Sequence, residues 1–117
     1  MIKMEAIAKK KYVRMSPYKM RRVLNLIKDI NVHDAINQLH FTRKNAAQVV
    51  EKTLRSAVAN LYQNDEAQQF TLNDIYVSRA FVDEGPALKR WRPMSKVVRP
   101  GKIRKRMSYL TIVVETR

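Results

Sequence analysis

The 117-residue sequence has no cysteine, two glycines, four prolines and a single tryptophan. Without cysteine there can be no disulfide framework, thiolate metal site or cysteine nucleophile, which fits a reducing compartment. So few glycines and prolines leave no room for flexible linkers or low-complexity tails, and no internal repeat is found. No apolar run approaches the roughly 18 residues that a membrane span requires. The opening Met1-Ile2-Lys3-Met4-Glu5 has no signal-peptide apolar region, so the expectation is a soluble, unprocessed protein with no membrane partner. Histidine is nearly absent too: only His33 and His40 occur, with no Gly-rich phosphate loop beside them. An enzyme is therefore poorly supported, and no cofactor is expected.

What the chain has in excess is positive charge, with 24 Lys and Arg against 10 Asp and Glu for a formal net charge of +14. The distribution says more than the total. Residues 1–28 carry nine bases against Glu5 alone, whereas residues 29–74 hold six acids (Asp29, Asp34, Glu51, Asp65, Glu66, Asp74) and four bases. From Gly85 to Val114 there are nine bases (Lys89, Arg90, Arg92, Lys96, Arg99, Lys102, Arg104, Lys105, Arg106) and no acid. A near-neutral middle should pack, and two basic flanks should bind a polyanion. With 45% hydrophobic residues, a chain of this length supports one domain with one modest core.

Hydrophobic spacing predicts an α+β fold: three helices packed on a small antiparallel sheet, with one long protruding basic β-hairpin. Residues 4 to 14 alternate weakly and read as a strand or extended arm. Ser16-Pro17 is a helix start, since the serine oxygen accepts an orphan amide and proline at the first position has no amide to leave unpaired. Met20, Val23, Leu24 and Ile27 then form one buried helical face. Asn31 followed by Asp34 resembles a variant capping box ahead of Val32, Ala35, Ile36 and Leu39. Thr42 is expected to cap a third helix, whose stripe of Ala47, Val50, Leu54, Ala57, Val58 and Leu61 runs to about Asn64. The polar segment Gln63 to Gln69 reads as a loop. A strand is predicted over Leu72 to Asp83, with Ile75, Val77, Arg79 and Phe81 on one face and Tyr76, Ser78, Ala80 and Val82 on the other. Tyr109 to Val114 is β-branched, reads as a strand and closes the chain. One domain is expected over residues 1–117, with a body at about 1–84 and 107–117 and an arm at about 85–106. Pro93 and Pro100 suit an exposed two-stranded ribbon, which about ten residues a side would project roughly 30 Å.

His33 and His40, seven apart near one helix face, are better read as surface or half-buried imidazoles than as a metal pair. Asp83 and Glu84 are adjacent in a strand and point to opposite faces, so they suit a salt bridge with nearby bases better than acid/base catalysis. A run of charge is usually only a solvated face. Here, however, nine bases with no compensating acid point to nucleic acid, and Trp91 between Arg90 and Arg92 suits stacking on a base or a guanidinium, or packing on the body.

Five separated motifs resemble one family: Arg14-Met15-Ser16-Pro17-Tyr18-Lys19-Met20-Arg21, Lys44-Asn45-Ala46-Ala47, Ser56-Ala57-Val58-Ala59-Asn60, Val82-Asp83-Glu84-Gly85-Pro86-Ala87-Leu88-Lys89-Arg90, and Ile103-Arg104-Lys105-Arg106-Met107-Ser108. In order and spacing, from about Met4 to Val114, these are similar to large-subunit ribosomal protein twenty-two. The resemblance implies an early-assembling constituent of the large ribosomal subunit, a monomer within the ribosome. Its body would sit near the mouth of the peptide exit tunnel and its hairpin would reach through ribosomal RNA to line the tunnel. It implies contacts to ribosomal RNA from Lys9, Lys10, Lys11, Arg14, Ser16, Lys19, Arg21 and Arg22, and from Lys89, Arg90, Arg92, Lys102, Arg104, Lys105 and Arg106 of the arm. Met94, Lys96, Val97, Val98 and Arg99 at the tip would face the nascent polypeptide, and neighbouring ribosomal proteins would be further partners. The tip departs from the family's usual Arg-Pro-Arg-Ala, one variable residue, Gly-Arg-Ala: here Arg92-Pro93-Met94-Ser95-Lys96-Val97-Val98-Arg99-Pro100-Gly101 stands. The rival reading is a DNA-bending protein whose basic ribbon arms enter a groove, with a proline near the tip as a wedge.

Overall fold

The computed structural model describes residues 4–85, 88–92, 101–105 and 107–116. Strand β1 (Glu5–Val13) leads through a bend to helix α1 (Pro17–Leu24), α2 (Val32–Phe41) and α3 (Asn45–Tyr62). Two short 3-10 turns then precede β2 (Ile75–Glu84), the arm strands β3 (Leu88–Arg92) and β4 (Gly101–Lys105), and finally β5 (Ser108–Thr116). The body sheet is antiparallel with order β1-β5-β2, and β3 pairs antiparallel with β4 in a separate ribbon. The α+β fold with three helices is the one that the periodicity predicts.

The helix starts follow from their caps. Ser16 is the N-cap of α1, with Pro17 in first position and the Lys19 amide donating to its hydroxyl at 3.5 Å. Asn31 caps α2 with a shorter bond, 2.8 Å from the Asp34 amide. Helix α1 ends at Leu24, yet Ile27 in the following turn is as deeply buried as Met20 and Val23. Thr42 does not cap α3: it ends α2, its hydroxyl donating back to the Gln38 carbonyl at 2.6 Å. Lys44 takes the N-cap position of α3 without a side-chain bond. All six residues of the predicted α3 stripe are buried, and the helix stops at Tyr62. The polar stretch beyond it is not a plain loop. Asn64 caps a 3-10 turn over Asp65–Gln69 that buries Ala67, an isolated apolar residue with no periodicity to announce it.

The helices pack on one face of the sheet. Met20, Leu24, Ile27, Val50 and Leu54 meet Val77, Ala80, Val82, Leu110, Ile112 and Val114 in a single core. Each of the two outer strands contains one extra residue relative to β5. In β1 the register steps from Lys10 opposite Leu110 to Val13 opposite Ser108. In β2 it steps from Val77 opposite Val114 to Arg79 opposite Val113, passing over Ser78. This second bulge overturns the simple alternation expected for β2. Ile75 and Val77 share the helix-covered face with Ala80 and Val82, while Arg79 and Phe81 turn to the other. The bulge in β1 puts Tyr12 at φ 58°, a left-handed conformation that costs a residue with a β-carbon about 1 kcal/mol or more.

The radius of gyration is 17.8 Å, against about 13 Å for a compact chain of this length. The longest dimension is 66 Å, about twice the roughly 33 Å that the ten residues of β2 span, so the ribbon continues outward from the sheet.

Replacing Leu54, which is fully buried, by Ala should cost about 2–5 kcal/mol in urea unfolding. Phe81→Ala, on the uncovered face, should cost about 1 kcal/mol or less. Equal losses would contradict the face assignment.

Candidate nucleic-acid interface

Antiparallel register decides which charges meet. The end of β1, the start of β5 and the end of β2 coincide, since Val13 and Glu84 both lie opposite Ser108. The arm leaves the body there. At the far end Glu5 lies opposite Glu115, and Asp74, Asp65 and Glu66 precede β2. The fold therefore turns an uneven sequence into a polar molecule, bases around the root of the arm and most acids away from it.

Lys9, Lys10, Lys11 and Arg14 are exposed on one side of the root, along β1 and the bend after it. Lys19, Arg21 and Arg22 are exposed on the other side, on α1 against β2. The hydroxyl of Ser108 ties the two sides together by donating to the Met15 carbonyl. Ser16 is half-buried and already engaged as a cap. Arg21 has a structural bond as well: its Nη2 donates to the Val82 carbonyl at 3.0 Å, covering part of the open edge of β2. Ser16, Pro17, Tyr18, Arg21 and Glu84 line an open cleft of about 350 Å³ beside the root.

In the arm, Lys89 lies opposite Arg104, Trp91 opposite Lys102 and Arg92 opposite Gly101. A two-stranded ribbon is weak alone, and its register pairs Lys89 with Arg104, two like charges, so it gains from a polyanion. Arg106, the ring of Trp91 and the tip residues Met94, Lys96, Val97, Val98 and Arg99 lie outside the described residues. The histidines stand apart on the helices: His33 shares a 3.4 Å hydrogen bond with Asn37, and His40 Nδ1 lies 3.8 Å from Glu51.

The root also has features that the pattern of bases did not reveal. The Gly85 amide donates to the Met107 carbonyl at 2.9 Å. A β-carbon on Gly85 would sit 3.2 Å from Tyr109 Cε1 and 3.3 Å from the Met107 oxygen, so this glycine serves close approach rather than an unusual φ. Tyr109 meets Tyr12 edge to face, ring centroids 5.4 Å apart. Burial, and then the hydroxyl of Tyr12, raise the Tyr109 pKa. Burial, followed by the charge of Asp74, does the same for Tyr62, whose hydroxyl donates to the Phe70 carbonyl.

Two outcomes follow for the root and the tyrosines. Gly85→Ala should lower stability by about 1–3 kcal/mol in thermal unfolding, because a backbone oxygen and a packed ring must both give way. The neutral phenols of Tyr62 and Tyr109 are favoured by folding, so their contribution is complete below the ordinary tyrosine value of 10.0 and is lost as pH rises through the raised folded values. Unfolding free energy should decline above about pH 10. The decline should be shallower in Tyr62→Phe; an identical pH profile would refute it.

The family model of ribosomal protein L22p/L17e matches residues 8–115. The chain is 46% identical over 111 residues to the large ribosomal subunit protein uL22 of Halothermothrix orenii, covering 95% of each chain. To the protein of the same name from Clostridium acetobutylicum it is 47% identical over 116 residues, covering 97% of this chain and 99% of that one. To that of Syntrophus aciditrophicus it is 43% identical over 112 residues, covering 96% and 98%.

Proposed function

The chain belongs to the ribosomal protein L22p/L17e family, and on that footing we propose that its basic root and arm bind large-subunit ribosomal RNA while the end of the arm lines the path of the nascent polypeptide. It is a structural constituent of the large ribosomal subunit, not an enzyme, and is ribosome-bound in the cytoplasm with ribosomal RNA and ribosomal proteins as its partners. The family membership displaces the reading as a DNA-bending protein.

The observation that carries the RNA reading is the meeting of two basic segments, 9–14 and 19–22, on either side of the point where the basic ribbon emerges. Cations so arranged neutralise phosphates on several RNA segments at once and let them approach one another. A ribbon two strands wide passes between RNA helices where a globular surface would not fit. The chain acts as one ribosomal-protein domain, with the body at about 1–84 and 107–117 anchoring the arm at about 85–106. Lys9, Lys10, Lys11, Arg14, Lys19, Arg22 and the arm bases supply phosphate contacts. Arg21 divides its donors between the Val82 carbonyl and RNA.

If about eight phosphates are met, affinity for ribosomal RNA should fall with a log-log salt slope of roughly −6 to −7. Replacing Arg104, Lys105 and Arg106 together by Ala should reduce that slope and weaken binding, leaving thermal unfolding of the body nearly unchanged. A large loss of stability would place these residues in the fold instead. In lysate gradients the protein should travel with the large subunit through a wash of roughly 0.5 M salt, where exposed charges are screened. Release into the top fractions would count against a buried arm. For the tip, crosslinking from Lys96 to a stalled nascent chain tests the remaining part, and absence of any adduct would remove it.

A further inference from the structure

Residues paired across antiparallel strands share a face, so the register shows what the helix-free side of the sheet carries. One row holds Ile7, Val113 and Arg79, and the next holds Lys9, Thr111 and Phe81. Tyr109 follows, opposite Asp83 and beside the root of the arm, with the ring of Tyr12 against it. Thr111 and Val113 form a floor shielded by their neighbours, but Phe81 is 43% exposed, Ile7 51% and Tyr12 59%. Lys9 and Arg79 are exposed beside them. The far end of the same face carries Glu5 and Glu115.

We propose that the half of this face nearer the arm is a stacking platform for unpaired RNA bases, with Phe81 and Tyr12 meeting the bases and Lys9 and Arg79 the phosphates. The proposal rests on the reading of the chain as a ribosomal RNA-binding protein and adds a second, different mode of contact to it. Both bulges serve the arrangement. Without the extra residue at Ser78, Arg79 and Phe81 would share a face with Val77 and enter the core. Without the one in β1, Tyr12 would alternate to the helix side, and its left-handed backbone is what holds the ring beside Tyr109. Bulges that re-aim side chains mark sites, and a non-glycine residue held at positive φ is retained where its side chain is needed.

The composition favours single-stranded RNA over a protein partner. The core of a protein interface is depleted in lysine, whereas here Lys9 stands across Thr111 from Phe81, and Arg79 lies two residues before Phe81 on the same face. Exposed rings flanked by bases are what unpaired nucleotides stack upon, and a duplex, whose bases are already stacked inside, would gain nothing from them. With Glu5 and Glu115 at the far end and Asp83 beside Tyr109 at the root, the rows of Arg79 and Lys9 between them are where a phosphate backbone is favoured.

Binding of oligouridine, which has no base pairs, and of an RNA hairpin to the full chain, read by fluorescence anisotropy, tests this. Phe81→Ala and Tyr12→Asn, the latter chosen because asparagine accepts the left-handed backbone, should each weaken oligouridine binding about 5- to 100-fold. The salt slope should stay unchanged, since neither removes a charge, and hairpin binding should be unaffected. Phe81→Tyr should bind as the parent does. If both ring-removing variants bind oligouridine like the parent, the platform is wrong while the RNA reading stands. If the parent itself shows no salt-dependent affinity for RNA, that reading fails first. Should either variant lose its circular dichroism, bromouridine crosslinking of the unaltered protein decides. Adducts on Tyr12, Phe81 or Tyr109 support the platform, and adducts confined to the arm overturn it. Self-association of the parent that Phe81→Ala dissolves would assign the face to protein instead, and would also overturn it.

Discussion

A strand buried on both faces, as β5 is from Leu110 to Thr116, must have its backbone groups satisfied from both sides, and β1 and β2 supply the partners. That pairing sets nearly everything else. It makes the first and last strands of the chain neighbours, brings residues 5–13 beside residues 108–116, and places the ends of β1 and β2 together at Ser108. The arm is the connection between β2 and β5, so it can leave only from this end. Pairing two strands about a hundred residues apart in sequence is what gathers the basic flanks.

Because β1 and β2 are edges, their outer backbone groups need covering, or they would recruit another chain. The body does this with pieces already in place for other reasons. Asn60 of α3 donates to the Ile7 carbonyl at 3.0 Å, and Arg21 of α1 donates to that of Val82. Further along β2, the Asp29 amide donates to the Val77 carbonyl and the Val77 amide to that of Ile30. A cation that composition alone would assign to RNA thus also protects an edge. The helices that close the core and cap the edges all lie on one side, which leaves the opposite sheet face free of helices, with Lys9, Arg79, Phe81 and Ile7 exposed on it.

Much of the fold is legible from local rules that tertiary structure did not disturb. Ser16-Pro17 and Asn31 start helices because the side chains of Ser16 and Asn31 satisfy amides only three residues away. The α3 stripe is buried as its spacing requires, since a helix offers one continuous face. Thr42 failed as a start because a threonine hydroxyl serves equally well at the end of the preceding helix, donating to a carbonyl four residues back. Ala67 gave no sign of burial because a single small apolar residue has no period.

In the candidate interface, charge and the order of elements were readable, and the convergence of the basic segments was not, because residues 9–22 reach the root of the arm through the pairing of β1 with β5 and the packing of α1 on β2. The rings of Tyr12, Phe81 and Tyr109 were unreadable for a further reason. A β-bulge has no fixed sequence signature when its strained residue is tyrosine rather than glycine, and one extra residue reverses the face of everything beyond it. The sequence by itself determined the three helices, the strand content, the separation of charge along the chain and the basic ribbon, since each depends on neighbours within a few residues. Only the tertiary structure decided which end of the sheet holds the charge, which edges are sealed and which side chains stand on the open face, since these depend on register between strands distant in the chain.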